Sequence, residues 1–599
     1  MSLPKHVVSS EVQQQRHHNH RGPALRLVAF TACAVALFLR ISGPERVSSL
    51  VGTSVRGVKV LAEPDEFNWT AITPTKGLRW TQCYDKFECA RLSVPLDYAE
   101  PDKEEAAVAL VRYSSAVPRD EEGYKGPVLF NPGGPGGSGV KTVLGSAEKF
   151  QTILGEGYDI IGFDPRGIGA TTPSLQTLQS KGEEGLFLHH LLTTVNASDT
   201  ALGALYATSQ NLGELAQARM SHVAQHVSTP VVARDMLSIV KAHGRDKLQY
   251  WGFSYGTVLG ATFSAMFPDN VGRVIIDGVV DAENYYAGLW SNNLRDTDAE
   301  LFRVYQACAD VGALACPIHE FDADKIHARV QGLLKKLRMT PVTFYNDTTG
   351  LYGQVDYSVV IRVIFNMLYK PYSKAQEVFA AISQLERGDA EPIFKLSERA
   401  TAQGLLTEQC SCPLASDDFW GPSGRENLLA IACGDAGPIH RDIDSLKRYF
   451  DDMATTSMFA EAWWPHIGCA GWKVRTKEPL RASWETNTSF PLLIIGNTAD
   501  PVTPIWNAHK MSKYFEGSVV LTQDSAGHCS SAATSLCTAK TIRAYFQNGT
   551  LPDKGTVCDV QSQMFGEELS VSGMELEAGD WQLLRASHQL QQDYFVPII

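Results

Sequence analysis

Residues 250–260 read Tyr250-Trp-Gly-Phe-Ser254-Tyr-Gly-Thr-Val-Leu-Gly260, and they centre on one serine. A short apolar run precedes the serine and a helix-like stretch follows it. In that setting Gly252-x-Ser254-x-Gly256 has the layout of a nucleophile elbow, a sharp strand-to-helix turn that lifts a hydroxyl clear of a sheet. The two glycines suit a turn too tight for a Cβ. With 49 glycines in 599 residues, such a motif arises by chance on the order of 0.3 times per chain. Its meaning therefore rests on what surrounds it.

Outward from the elbow, short apolar runs recur at 90–95, 106–114, 127–130, 158–163, 248–251, 273–276, 492–495 and 518–521. Several end in turns rich in Gly, Asp or Asn: Asn131-Pro-Gly-Gly-Pro-Gly-Gly-Ser-Gly139 after the third, and Asp164-Pro-Arg-Gly-Ile-Gly169 after the fourth. Buried runs alternating with helical patterns predict a doubly wound, mostly parallel α/β sheet. Ligands bind outside the carboxyl ends of such strands, so the unusual loops fall on the functional edge. The rhythm breaks between 282 and 487, where helical patterns at 299–310, 324–338, 357–367 and 374–387 predict a mainly helical cap. The expected organisation is a basic arm with a signal or anchor segment (1–60), a core in two parts (75–281 and 488–560) around the cap (282–487), and a tail (561–599) that is acidic and then helical at 579–592.

The composition, 44% hydrophobic and 20% charged, is that of a globular protein. A net charge of -13 argues against a nucleic-acid partner. Residues 1–26 are polar and basic; 27–39 are uncharged and mostly apolar, closed by Arg40. That run is short for a membrane span of roughly 20 residues and fits a signal-peptide core. The alternative is a single uncleaved anchor near residues 24–41, with Arg26 and Arg40 reaching the interfaces. Both predict the secretory pathway, with the catalytic domain extracellular or lumenal. Five sequons, at Asn68, Asn196, Asn346, Asn487 and Asn548, agree with that. Among 12 cysteines, close spacing suggests the disulfides Cys83/Cys89, Cys308/Cys316 and Cys537/Cys558, with Cys433/Cys469 as a fourth. Cys33 lies in the apolar run, and at least one of Cys410, Cys412 and Cys529 is expected to be unpaired. The chain has no CxxC pair and no HExxH, so no metal site is expected.

A serine hydroxyl needs a base within hydrogen-bond reach and a group that orients the base. In the α/β-hydrolase fold these follow in the order Ser, acid, His. Asp500 stands in Gly-Asn-Thr-Ala-Asp500-Pro-Val-Thr-Pro504 after the 492–495 run, and His528 in Asp-Ser-Ala-Gly-His528-Cys529 after the 518–521 run. Order and position agree, which neither residue could establish alone. The expected oxyanion donors are the Tyr255 N–H and one from the glycine loop, Gly134 or alternatively Gly133. Arg166 has two readings, a substrate contact or an Asp–Arg pair that shapes the loop beside the elbow. No cofactor is needed for this chemistry.

Taken together, Asn131-Pro-Gly-Gly-Pro-Gly-Gly-Ser-Gly139, Phe163-Asp-Pro-Arg-Gly-Ile-Gly169, Gly252-Phe-Ser-Tyr-Gly-Thr257, Ile276-Asp-Gly-Val-Val-Asp281, Asp500-Pro-Val-Thr-Pro504 and Gly527-His528 resemble the tripeptidyl aminopeptidase-like group of α/β-hydrolases, which is related to prolyl aminopeptidases. The resemblance spans about 75–560 and includes Cys433-Gly-Asp435 and Cys469-Ala-Gly-Trp472. It implies a serine exopeptidase that removes short peptides or residues from free N-termini, with Ser254, Asp500 and His528 as the triad. It also implies acidic residues near the cap to hold the substrate ammonium, for which Glu300 and Asp435 are the candidates. This chain has Gly-His528-Cys529 where the group often has Gly-His-Gly. Some members look like esterases or proteins of secondary metabolism, so an esterase or lactonase acting on small molecules is the alternative. A non-catalytic binding module is the third reading. The expected partner is a peptide or small ester; oligomeric state is not legible.

Overall fold

The computed structural model describes residues 67–407, 424–437, 439, 442–566, 569, 575–594 and 596–597. The basic arm, the apolar 27–39 run, Cys410 and Cys412 lie outside the described residues. The strands are β1 (Thr81–Cys83), β2 (Phe87–Pro95), β3 (Glu105–Tyr113), β4 (Gly126–Asn131), β5 (Tyr158–Phe163), β6 (Leu248–Phe253), β7 (Val271–Asp277), β8 (Val342–Tyr345), β9 (Tyr352–Val355), β10 (Leu493–Ala499), β11 (Val519–Ala526) and β12 (Val557–Cys558). Ten of them make one sheet in the order β1-β2-β3-β5-β4-β6-β7-β10-β11-β12. The first three are antiparallel, β3 meets β5 antiparallel, and from β5 to β12 every pair is parallel. This is the α/β-hydrolase fold.

Side chains of each strand alternate between two apolar layers, as a two-residue period demands. In β6, Tyr250 belongs to one core, while Trp251 and Phe253 belong to the other. The second core is closed by helices Gly139–Leu154, Leu536–Asn548 and Ala578–Asp593. The parallel register aligns Asn131 with Gly252, and Phe253 with Asp277. It therefore collects the carboxyl ends of β4, β6, β7, β10 and β11 at one edge, where the predicted site residues stand.

Between β7 and β10 the chain leaves the sheet. Helices Thr297–Val311, Ala323–Met339, Tyr357–Leu368 and Pro371–Glu386 form there, followed by Gly424–Asp435, Ile443–Ala454 and Pro465–Gly471. Tyr357–Leu368 is buried on nearly every side, which matches its almost wholly apolar sequence. The first apolar core runs without a break from Val258, behind the elbow, to Val360 and Trp463 in this insertion. The β8–β9 hairpin, part of the insertion, had no counterpart in the sequence reading. Neither did β1 and β12, which have three and two residues.

Disulfides join Cys83 to Cys89, Cys308 to Cys316, Cys433 to Cys469, and Cys537 to Cys558; Cys529 is free and buried. Asn68, Asn196, Asn487 and Asn548 are exposed, whereas the Asn346 amide nitrogen donates to Glu391 at 2.9 Å. Among the described residues no helix is long and apolar enough to cross a membrane.

Candidate active site

Ser254 follows β6 and stands at the start of helix Tyr255–Met266 with φ 56° and ψ -123°. A non-glycine residue rarely adopts that backbone, and it is the strain expected of a nucleophile elbow. Neighbouring strands hold the strain in place: the Ser254 N–H donates to the Asp277 carbonyl at 2.9 Å. A Cβ on Gly252 would stand 2.4 Å from the Tyr250 ring, so the turn admits only glycine there. The Ser254 Oγ is buried and has no hydrogen-bond partner among the described residues.

Asp500 directly follows β10, and His528 follows β11 by two residues. His528 Nδ1 lies 3.0 Å from each Asp500 carboxylate oxygen. The carboxylate also accepts the N–H groups of Val502, Thr503 and Cys529 at 3.0, 2.8 and 2.9 Å. Asp500 is thus fixed by three backbone donors before it orients the imidazole. On the other side the Tyr369 ring meets His528 edge-on at 5.1 Å, and the Tyr369 carbonyl accepts the His528 N–H at 3.0 Å. Both faces of the base are therefore determined, one by the core and one by the cap.

Cys529 lies beneath this arrangement with φ 62°. Its thiol approaches the Asp277 carbonyl at 3.4 Å and the backbone N–H of Ser254. Burial, reinforced by Asp277 and Asp500, pushes the thiol well above its usual range. The donor atoms of Asp500, His528 and Cys529 lie within 4.8 Å of one another, a spacing a metal could use. The carboxylate is already filled by N–H donors and the environment favours S–H over thiolate, so the set fits a triad better than a metal centre.

The glycine loop passes directly over the elbow. A Cβ on Gly133 would stand 2.5 Å from the Phe253 carbonyl, 2.8 Å from Ser254 Cβ and 3.1 Å from the Tyr255 nitrogen. Only a glycine permits that approach. The Gly133 N–H is taken by Asn131 Oδ1 at 3.0 Å, which favours Gly134 as the loop's free donor. The loop is anchored by Asp164, whose carboxylate accepts Ser138 Oγ at 2.5 Å and the N–H groups of Val140 and Ala170. Sequence reasoning gave Asp164 no such role.

Three further expected residues have defined places. Arg166 makes no pair with Asp164; it forms a bidentate pair with Asp235 (2.7 and 2.8 Å) and donates to the Pro95 and Leu96 carbonyls. Both side chains are buried, so Arg166 ties loop to helix. Glu300 is fully buried on helix Thr297–Val311 and faces Asp500 and the Gly527 backbone. Burial first, then the Asp500 charge, push its carboxyl well above the usual range. Asp435 accepts Thr229 N–H at 2.9 Å, Thr229 Oγ1 at 2.5 Å and the Tyr285 hydroxyl at 2.8 Å. Burial raises it to about 7. Thr229 Oγ1 in turn meets the Tyr255 hydroxyl at 2.5 Å, so Asp435 ties the cap to the residue after the nucleophile. Asp277, at the end of β7, was also missed. It accepts Ser530 N–H and Oγ and the Trp251 indole N–H, and burial raises it to about 6.

Comparisons with known proteins agree with this fold. A family model described as alpha/beta hydrolase fold matches residues 126–327, and one described as TAP-like protein matches 456–558. The chain is 27% identical over 503 residues to a tripeptidyl aminopeptidase of Streptomyces coelicolor, covering 80% of this chain and 86% of that one. It is 28% identical over 483 residues to the serine protease Hip1 of Mycobacterium tuberculosis, covering 78% and 87%. A Mycobacterium tuberculosis carboxylesterase B is 26% identical over 491 residues, covering 78% and 86%.

Proposed function

The chain is an α/β-hydrolase of the tripeptidyl aminopeptidase-like group and a serine hydrolase, and from that premise we propose that it is an exopeptidase releasing short peptides or residues from free N-termini. One observation carries the reading: an imidazole held at 3.0 Å by both oxygens of Asp500, at the sheet edge that carries the strained Ser254. In the proposed reaction His528 Nε2 takes the Ser254 proton as Oγ bonds to the scissile carbonyl carbon. The carbonyl π pair moves onto oxygen, where the N–H groups of Tyr255 and Gly134 receive it. Collapse breaks the C–N bond, and His528 gives its proton to the leaving amine. Water, deprotonated by His528, then hydrolyses the acyl-enzyme and regenerates Ser254. Asp500 stays ionised throughout, holding the tautomer and stabilising the imidazolium.

Residues 27–39, the sequons and the four disulfides support a secretory-pathway protein, secreted or held by one N-terminal segment. The test compares free and N-acetylated peptide amides with simple esters. Turnover of free peptides alone is expected. Equal turnover of blocked and free peptides overturns the exopeptidase reading, and turnover of esters alone favours an esterase, as the resemblance to carboxylesterase B would suggest.

A further inference from the structure

The last part of the chain lies beyond both matched family models, yet it reaches the site. Helix Ala578–Asp593 packs Leu583, Leu584 and Leu590 into the second core. The Tyr594 ring then packs on two others: Phe253 at 5.0 Å, the residue before the nucleophile, and Phe150 at 5.6 Å. The Tyr594 carbonyl accepts Lys370 Nζ, a bond buried in the interior. Lys370 follows Tyr369, which supports His528 through its ring and its carbonyl. Pro597 fills the space beside Gly137: a Cβ there would stand 2.8 Å from the proline Cγ and equally close to the Gly133 carbonyl. One short segment thus touches the elbow strand, the glycine loop and the support of the base.

We propose that Tyr594 and Pro597 form a positioning strap, in which the Tyr594 ring and carbonyl hold Ser254, the oxyanion loop and His528 in one reactive arrangement. The inference rests on the proposed catalytic roles of those residues. The Tyr594 hydroxyl has no hydrogen-bond partner among the described residues and lies near Cys529 and Asp277, so the ring and the carbonyl carry the bracing. Small displacements of reacting groups are costly: a shift of about 1 Å can remove on the order of 100-fold in rate. Substrate binding in the cap should not depend on the strap.

The test uses the full chain. Tyr594→Ala should lower kcat by about 10- to 100-fold with KM within about twofold, while Tyr594→Phe restores wild-type kcat. Lys370→Ala should lower kcat in the same direction, and Lys370→Arg should recover most of it. A second readout is independent of turnover. Cys529, sealed in the same core as Tyr594, should react with a maleimide about tenfold faster in Tyr594→Ala, followed by mass spectrometry of its own peptide. Unchanged kcat with unchanged Cys529 labelling overturns the strap. A kcat loss in Tyr594→Ala that tracks a collapse in melting temperature and rises in KM assigns the segment to stability alone, and also overturns it. If the wild type fails to label with a fluorophosphonate, the serine-hydrolase chemistry falls instead, and Cys529 reactivity still decides the bracing.

Discussion

The sheet edge and the cap meet at the same serine but are built on different logic. At the edge, each group is set by its place at the end of a strand: Ser254 after β6, Asp277 closing β7, Asp500 after β10. Parallel pairing brings them together whatever the rest of the chain does. In the cap, groups are set by contacts between distant segments, such as Asp435 with Thr229 and Tyr285, or Glu426 with the Thr177 and Leu178 N–H groups. Chemistry sits where position is repetitive, and recognition where it is contingent. Substitutions at the edge should therefore cost rate, while those in the cap away from Tyr369 and Lys370, which reach His528 and the strap, should change stability and selectivity.

The largest test of that contrast is Ser254→Ala, which should lower kcat by on the order of 10⁴–10⁶ while the melting curve stays in place. Labelling by a fluorophosphonate equal to wild type would break the edge half of the comparison. Asp500→Asn should cost about 10⁴ in kcat, because the imidazole loses its tautomer while keeping its place. Gly133→Ala tests the loop: its Cβ must enter the 2.5 Å gap at Phe253 O with φ at 92°, so kcat should fall by roughly 10²–10³. The fold should lose about 1–3 kcal/mol, read by denaturant titration.

The cap half is sharpened by pH. Asp435 and Glu426 are both raised to about 7, chiefly by burial, against unfolded values near 4. A carboxyl raised on folding contributes fully below its unfolded pKa, and that contribution is lost as pH climbs to the folded one. The stability that Asp435 and Glu426 contribute should therefore fall between about pH 4 and pH 7 and level off above, against an opposite contribution from buried His243, lowered to about 4. Asp435→Asn and Glu426→Gln should each flatten the slope, by on the order of 1–3 kcal/mol across the window. Glu300→Gln should do least, with kcat within about twofold, because the amide keeps the shape of a carboxyl whose charged form burial already disfavours. A tenfold loss of affinity for free peptides in that variant would return Glu300 to substrate binding.

What the sequence made legible follows the same division. The elbow, the glycine loop, Asp500 and His528 could be found because a strand end is marked locally, by an apolar run and a turn residue after it. The cap helices were legible too, since Tyr357–Leu368 and its neighbours carry their own periodicity. The partner of Arg166 was not, because Asp235 lies 69 residues away and nothing near either residue marks the pair. Asp435 and Glu300 could not be assigned for the same reason: burial decides what a carboxyl can do, and burial here comes from segments remote in sequence. Strands β1 and β12 escaped because so few residues show no alternation. The Tyr594 contacts span most of the chain and have no local sign at all.

The four disulfides bear on how substrate enters. Each closes a loop within one region of the molecule, with separations of 6, 8, 36 and 21 residues, and among the described residues none links cap to sheet. The two parts are joined by a shared apolar core and by hydrogen bonds such as those of Asp435. Ser254 and His528 are both almost fully buried. A joint made mainly of apolar surface loosens on cooling and with dilute urea, and is indifferent to reductant. Mild chaotropes below the unfolding range should therefore speed the reaction of Ser254 with a bulky serine reagent, while thiol reagents leave the rate alone.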